Sequence, residues 1–303
     1  MKTGFVSLIG RPNAGKSTLL NRLVGAKLAI VSDKPQTTRT RILGVRNYSD
    51  AQVVFLDTPG IHRPLHRMNV RMVDAAVDTI REVDVLGLVV DVAEPPGKGD
   101  AFVIDLVRHA KAPVFLILNK IDLIKKSKLL PIIDRYRQAA EFAEIVPVSA
   151  ATGDNVDRLE RALIERLPEG DALYPQDYLT DQPERFFAAE IVREKLLQFT
   201  HAEIPFSSAV VIDRFEDAVS EGEGARSSAQ LLKLYCTIVV DRESQKPIVI
   251  GKGGEMIKRI GTAAREDLER FFGTRVYLDL HVGVRAEWRE DDRLLQQLGL
   301  GPK

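Results

Sequence analysis

Gly10-Arg11-Pro12-Asn13-Ala14-Gly15-Lys16-Ser17 fits the pattern G-x-x-x-x-G-K-[ST], and the residues on either side of it set the fold. Before it runs the apolar stretch Phe5-Val6-Ser7-Leu8-Ile9, read as a strand; after it, residues 17–24 have helical period. A strand that turns through glycines into a helix gathers backbone N–H groups into a nest. The first turn of that helix adds the positive end of its dipole. The stretch is therefore an anion cradle, with Gly10, Ala14, Gly15 and Thr18 among its expected contacts. Lys16 is placed to reach a β- and a γ-phosphate, and the Ser17 hydroxyl to ligate magnesium.

Downstream, short Val/Ile/Leu runs at residues 53–56, 85–90, 114–118 and 145–148 alternate with helical periods at 68–81, 101–109, 129–140 and 156–167. Continuous apolar runs of this length suit strands buried on both faces. The alternation predicts an α/β domain: a mixed, mostly parallel sheet with helices on both faces. Residues 42–46 and 52–56, joined by Asn47-Tyr48-Ser49-Asp50, predict a hairpin that adds an antiparallel edge. The pattern stops at Pro168. Residues 169–183 are read as a linker for their prolines, glycine and acids. A second, α+β domain over 184–303 is predicted from a helix at 184–199, strands at 208–216 and 231–241 around Glu221-Gly222-Glu223-Gly224, a helix at 255–272 and a strand at 275–284.

With 303 residues, two domains are expected, each able to bury a core unaided. Hydrophobic residues at 45% and charged residues at 28% exclude a disordered chain. No apolar run reaches the ~18 residues of a membrane span, and the N-terminus has no secretory pattern. The single cysteine, Cys236, argues against disulfides and thiolate metal sites and points to a reducing, cytoplasmic compartment. Forty-three basic and 43 acidic residues leave no net charge, so any nucleic-acid surface must be local.

Two further loops say what the cradle holds. Asp57-Thr58-Pro59-Gly60 follows a strand, where Asp57 can hold magnesium through a water and the Gly60 amide can meet a γ-phosphate. Asn119-Lys120-Ile121-Asp122 follows another strand at its carboxyl end, where ligands gather in open α/β sheets. Guanine presents two adjacent donors that Asp122 can accept; adenine has no such pair, which would leave the carboxylate unpaired. Asn119 can bridge the base to the loop backbone, and the Lys120 stem can lie over the ring. Ser149-Ala150-Ala151 follows the last strand, where a backbone N–H can meet guanine O6.

These motifs, in this order, resemble the translation-factor-related GTPases. The resemblance implies a first switch loop at Pro35-Gln36-Thr37-Thr38-Arg39 and favours Thr38 over Thr37 as the residue completing the magnesium shell. After Gly60 comes Ile61, where Ras-like enzymes carry a water-orienting glutamine. The resemblance then implies slow intrinsic turnover stimulated by potassium, with the ion held in part by Asn13. His62 and His66 are read as solvent-facing, and Trp288 as packed near the C-terminus.

In the second half, Lys246-Pro247-Ile248-Val249-Ile250-Gly251-Lys252-Gly253-Gly254-Glu255-Met256-Ile257-Lys258 places a G-x-x-G loop before a helix. KH modules clamp about four nucleotides of single-stranded RNA with such a loop. Gly251, Gly253 and Gly254 allow close approach of the backbone. Lys246, Lys252, Lys258 and the neighbouring Arg259 supply charge, and Ile248, Ile250 and Ile257 are the expected groove floor. The element order is that of a type II KH fold.

A GTPase followed by such a module resembles the Era family over essentially the whole chain. The resemblance implies GTP or GDP as ligand, and the 3′ end of 16S ribosomal RNA and the 30S subunit as partners. It also implies a role in subunit maturation and peripheral association with the inner face of the cell membrane. A monomer that binds no DNA is expected. Two other readings remain: an RNA-binding module whose nucleotide half regulates a protein partner, and an unrelated phosphotransferase, against which Asn119 and Asp122 argue.

Overall fold

The computed structural model describes residues 1–34, 36–61, 66–95, 97–216 and 231–301. Pro35, His62 and the Glu221-Gly222-Glu223-Gly224 stretch lie outside them. The chain divides into two compact units, Met1–Asp181 and Gln182–Lys303.

In the first unit, strands β1 (Lys2–Ile9), β2 (Ile42–Asn47), β3 (Ala51–Asp57), β4 (Val85–Asp91), β5 (Val114–Asn119) and β6 (Glu144–Pro147) form one sheet in the order β2-β3-β1-β4-β5-β6. Among these strands β2 alone runs antiparallel, paired to β3 as the hairpin predicted from its short polar turn. The helices are α1 (Lys16–Val24), α2 (Arg67–Arg81), α3 (Lys98–Val107), α4 (Leu129–Ala139) and α5 (Val156–Arg166). Ile9, Leu86, Leu88, Leu116 and Leu118 meet Ala76 and Ile80 of α2, Val107 of α3 and Tyr136 of α4 in one core. Helices α1 and α5 contact β1 as well. Every residue of β3 is buried, as its unbroken apolar run requires.

Residues 169–181 correct the linker reading, because they are built into the first unit. Gln52, fully buried on β3, accepts from the Leu173 and Tyr174 amides at 2.7 and 2.9 Å and donates to the Tyr174 carbonyl at 2.8 Å. The Val45 amide donates to the Leu179 carbonyl at 2.8 Å, and stacked Tyr174 and Tyr178 cover Leu43, Val45, Val54 and Leu56. Edge strand β2 has amides to satisfy, and this strap satisfies one of them.

The second unit comprises α6 (Glu184–Phe199), a short α7 (Ile204–Ser207), β7 (Ser208–Glu216), β8 (Leu231–Val240), α8 (Lys246–Ile250), α9 (Glu255–Phe272), β9 (Arg275–Val284) and α10 (Asp292–Gln297). Its sheet runs β7-β8-β9, antiparallel then parallel. Alternate residues of β8 (Leu232, Leu234, Cys236 and Ile238) face Ile191 of α6 and Ile260 and Ala264 of α9. Burial first, then Asp213 and Asp279, push the Cys236 thiol up to about 12. Trp288 is fully buried and donates to the Ser207 carbonyl at 2.9 Å. No helix among the described residues is long and apolar enough to cross a membrane.

Candidate nucleotide site and RNA groove

β1 delivers the phosphate loop to the N-terminus of α1. Gly15, the residue before the helix, has φ 91°, and a Cβ there would stand 2.2 Å from Asn119 Nδ2. Glycine is required on both counts. Lys16 is buried and donates to the Gly10 and Arg11 carbonyls at 3.2 and 2.9 Å, which curls the loop around its ammonium.

Burial pushes the Lys16 ammonium down to about 8, with the Asp57 charge opposing the shift. Phosphates bound beside it favour the charged form, so above pH 8 binding must take up a proton. Without magnesium, GDP affinity is expected to be flat below about pH 8 and to fall toward tenfold per unit above it. Titration between about pH 7 and about pH 9 tests this; a constant affinity across that window would contradict it.

Three groups from three segments meet beside the cradle. Ser17 Oγ lies 2.7 Å from both Thr38 Oγ1 and Asp57 Oδ2, and Thr38 Oγ1 lies 3.2 Å from the same carboxylate oxygen. Thr37 turns away and donates to the Lys34 carbonyl, so the structure brings Thr38 rather than Thr37 to Asp57. Burial raises the Asp57 carboxyl above its ordinary range, opposed by Lys16 and the two hydroxyls. Among the described residues its Oδ1 is buried without a hydrogen-bond partner. An orphaned carboxylate oxygen beside two hydroxyls fits a hard divalent cation, with phosphate oxygens completing the shell. Among the described residues no cluster of three or more His, Cys, Asp or Glu offers an alternative metal site.

Asn119 ties the base side together. It is buried, its Nδ2 donates to the Ala14 carbonyl at 2.9 Å, and its Oδ1 accepts from the Ala150 amide at 2.9 Å. Lys120 has a left-handed backbone (φ 67°), and its Nζ is held 2.5 Å from Asp91 Oδ2. Asp91 sits opposite Asn119 in the β4–β5 register and was not singled out in the sequence. Its only signal was an acid at the carboxyl end of a strand. Asp122 stands on the exposed turn that follows. The Ser149 and Ala150 amides are already engaged, by Asp154 O and Asn119 Oδ1, so a base oxygen must share them or reach exposed Ala151. Two hollows of about 250 and 620 Å³ share Pro12, Asn13, Asp33, Gln36 and Lys120, and together have room for a nucleotide.

Gln36 (φ 61°) lines both hollows, Arg39 is buried, and exposed Asn13 donates to the Asp33 carbonyl at 2.6 Å. Gly60 leaves no room for a side chain: a Cβ there would come 2.8 Å from the Pro12 backbone. Ile61 is withdrawn into the core with Ile9, Ala76 and Ile80, and its amide donates to the Gly10 carbonyl. His66 is half-buried before α2 rather than solvent-facing.

In the second unit the glycine loop lies between α8 and α9. Gly253 has φ 61° with nothing within 4 Å of a would-be Cβ, so the loop is open to an approaching backbone. Lys252 and Lys258 are exposed and Lys246 is half-buried. Beside the loop, α9 and β9 enclose a groove of about 370 Å³ lined by Ile257, Lys258, Gly261, Thr262 and Arg265 against Val276, Tyr277, Leu278 and Leu280. Of the three isoleucines named from the sequence, Ile257 lines this groove. Ile250 does not line it, although it and Ile257 both pack against the core of the unit, and Ile248 stands exposed without lining the groove. Arg259 lies 4.2 Å over the Phe199 ring instead of joining the basic stripe. Thr262, Arg265 and the β9 wall were missed, although 257, 261 and 265 follow the i, i+4 spacing that puts residues on one helix face.

A family profile described as "50S ribosome-binding GTPase" matches residues 5–120, and one described as "KH domain" matches residues 221–289. GTPase Era of Geobacter metallireducens is 49% identical over 298 residues, covering 98% of this chain and 97% of that protein. GTPase Era of Syntrophus aciditrophicus is 50% identical over 298 residues, covering 98% of this chain and 95% of its own length. Two crystal structures match over 100% of both chains. One is a variant of Aquifex aeolicus Era bound to GDP·AlF4⁻, at 40% identity and TM-score 0.92. The other is Era in complex with MgGDPNP and nucleotides 1506–1542 of 16S ribosomal RNA, at 41% identity and TM-score 0.93. Similarity that runs through both units and nearly end to end settles the lineage: the chain belongs to the Era family of GTPases.

Proposed function

We propose that this protein is a GTP-hydrolysing switch that binds the 3′ end of 16S ribosomal RNA through its second unit and assists maturation of the 30S subunit. The observation that carries the reading is the Ser17–Thr38–Asp57 cluster in the same chain as an open glycine loop. A relative crystallised with MgGDPNP and 16S nucleotides supports the pairing of ligands. Ser17 and Thr38 would hold magnesium directly and Asp57 through water, the ion neutralising charge on the phosphates. Asp122 selects guanine, and the RNA backbone passes Gly251, Lys252, Gly253 and Gly254. The protein acts as a cytoplasmic monomer that associates peripherally with the inner face of the cell membrane.

GTP binding orders the segment around Thr38 and the Gly60 turn, and RNA affinity follows. Measuring that affinity with a GTP analogue, with GDP and without nucleotide tests the switch; three equal values would refute it. Gly253→Asp puts a carboxylate where phosphates pass, at a position with open space around it. It is expected to lower RNA affinity at least tenfold, roughly what loss of one or two charge-assisted contacts removes. GTP hydrolysis in that variant should stay intact, and unchanged RNA binding would contradict the groove assignment.

With Ile61 buried in the core, no side chain at that position orients the attacking water, so intrinsic turnover is slow. Asn13 would help to hold a potassium ion, which would supply part of the missing charge. Hydrolysis is expected to run roughly tenfold or more faster in potassium than in sodium. Asn13→Ala should erase the difference; equal rates in both salts would sink this element.

A further inference from the structure

The sheet of the second unit has one face covered by α6 and α9 and one that carries an ordered row of side chains. A register shift between Ile212 and Arg214 reverses the alternation of β7, so that Phe215 joins the core and Arg214 turns to the open face. Arg214 stands opposite Tyr235 on β8, and Lys233 stands opposite Tyr277 on β9. The Arg214 guanidinium lies 4.9 Å over the Tyr235 ring, and the Tyr235 and Tyr277 ring centres are 6.0 Å apart. Tyr277 is 49% exposed, although burying an aromatic ring is favourable. Lys233 and Arg275 flank the row, both exposed. The local acids are partly spoken for: Asp213 accepts from Thr237 and Glu216 pairs with Arg214, while Asp279 faces Tyr235. Tyr277 also lines the α9–β9 groove, so the two surfaces meet at this residue.

We infer that this open face is a second RNA-contacting surface, on which bases of a single strand leaving the groove stack against Tyr277 and Tyr235. Lys233 and Arg275 hold the accompanying phosphates, while Arg214, paired with Glu216, braces the Tyr235 ring. The inference rests on the RNA reading above. A glycine-loop groove engages about four nucleotides, so a longer strand must leave it, and Tyr277 stands at its edge. Aromatic side chains on an exposed sheet, interleaved with cations, are what unstacked bases bind irrespective of sequence.

The test uses the full chain and two single-stranded RNAs cut from the 3′ end of 16S ribosomal RNA. One of about five nucleotides fits the groove, and one of about fifteen extends past it. Tyr235→Leu is expected to weaken the longer RNA roughly tenfold and leave the shorter one unchanged. Tyr235→Phe, which keeps the ring, should restore the longer RNA. Lys233→Glu, at an exposed position outside the groove, carries the same expectation and covers the case in which Tyr235→Leu does not fold. Equal losses on both RNAs, no loss on either, or a phenylalanine variant as weak as the leucine one would each overturn the inference. Failure of the unaltered protein to bind either RNA would instead overturn the reading on which it rests.

Discussion

Asn119→Ala is expected to abolish measurable nucleotide binding and to lower the melting temperature of the first unit by roughly 5–15 °C. The side chain has two partners inside the protein, the Ala14 carbonyl and the Ala150 amide, and it is buried. Truncation leaves both backbone groups unpaired, at about 1–3 kcal/mol each. The phosphate loop and the Ser149–Ala150 loop are thereby released from β5, which dismantles both walls of the site together. Asn119→Asp sharpens the test. It keeps the shape and the acceptor for Ala150 but sets an oxygen against the Ala14 carbonyl, so it should lose most of the same affinity. Thermal unfolding with and without excess GDP reads both effects. A variant that melts normally and is still stabilised by GDP would show that the two loops are held by something else.

Gln52→Leu is expected to remove about 2–4 kcal/mol of stability from the first unit and to free the strap of residues 169–181. Three bonds from this buried amide run to the backbone of Leu173 and Tyr174, and a fourth runs to Asn47. Leucine fills nearly the same volume and satisfies none of them. Once detached, the strap exposes Tyr174 and Tyr178 and becomes a protease substrate while the rest of the unit stays folded. Limited proteolysis with mass analysis of the fragments is the measurement. Resistance equal to that of the unaltered protein would mean that the tyrosine packing alone retains the strap. Gln52→Glu is a useful companion, because it keeps the acceptor for the Leu173 and Tyr174 amides but sets an oxygen against the Tyr174 carbonyl and Asn47 Oδ1.

The parts of this molecule legible in the sequence are those whose signal is local. Helices Glu184–Phe199 and Glu255–Phe272 and strand Arg275–Val284 have the bounds that their periodicity marks, because period and capping glycines act within a few residues. The hairpin β2–β3 was legible from its short polar turn. The strap was not: Pro175 and Pro183 are compatible with a linker, and the partner that orders it, Gln52, lies more than 120 residues away. Ile248 and Ile250 sit near the glycine loop in sequence, and in a helix as short as α8 spacing does not tell a core face from a groove face. Asp91 and Arg265 became visible only once strands and helices were juxtaposed. An isolated acid or arginine in a chain that is 28% charged carries no mark of its own.

The lone thiol has a chemical consequence. Cys236 is buried in the middle of β8, and its proton is held to about pH 12, so at neutral pH it offers almost no thiolate to an oxidant or an alkylating reagent. The folded protein is therefore inert toward sulfhydryl chemistry along its whole surface. A cysteine introduced at an exposed position such as Lys233 or Ser127 would be the sole nucleophile of its kind, and a reporter attached there would speak for that position alone.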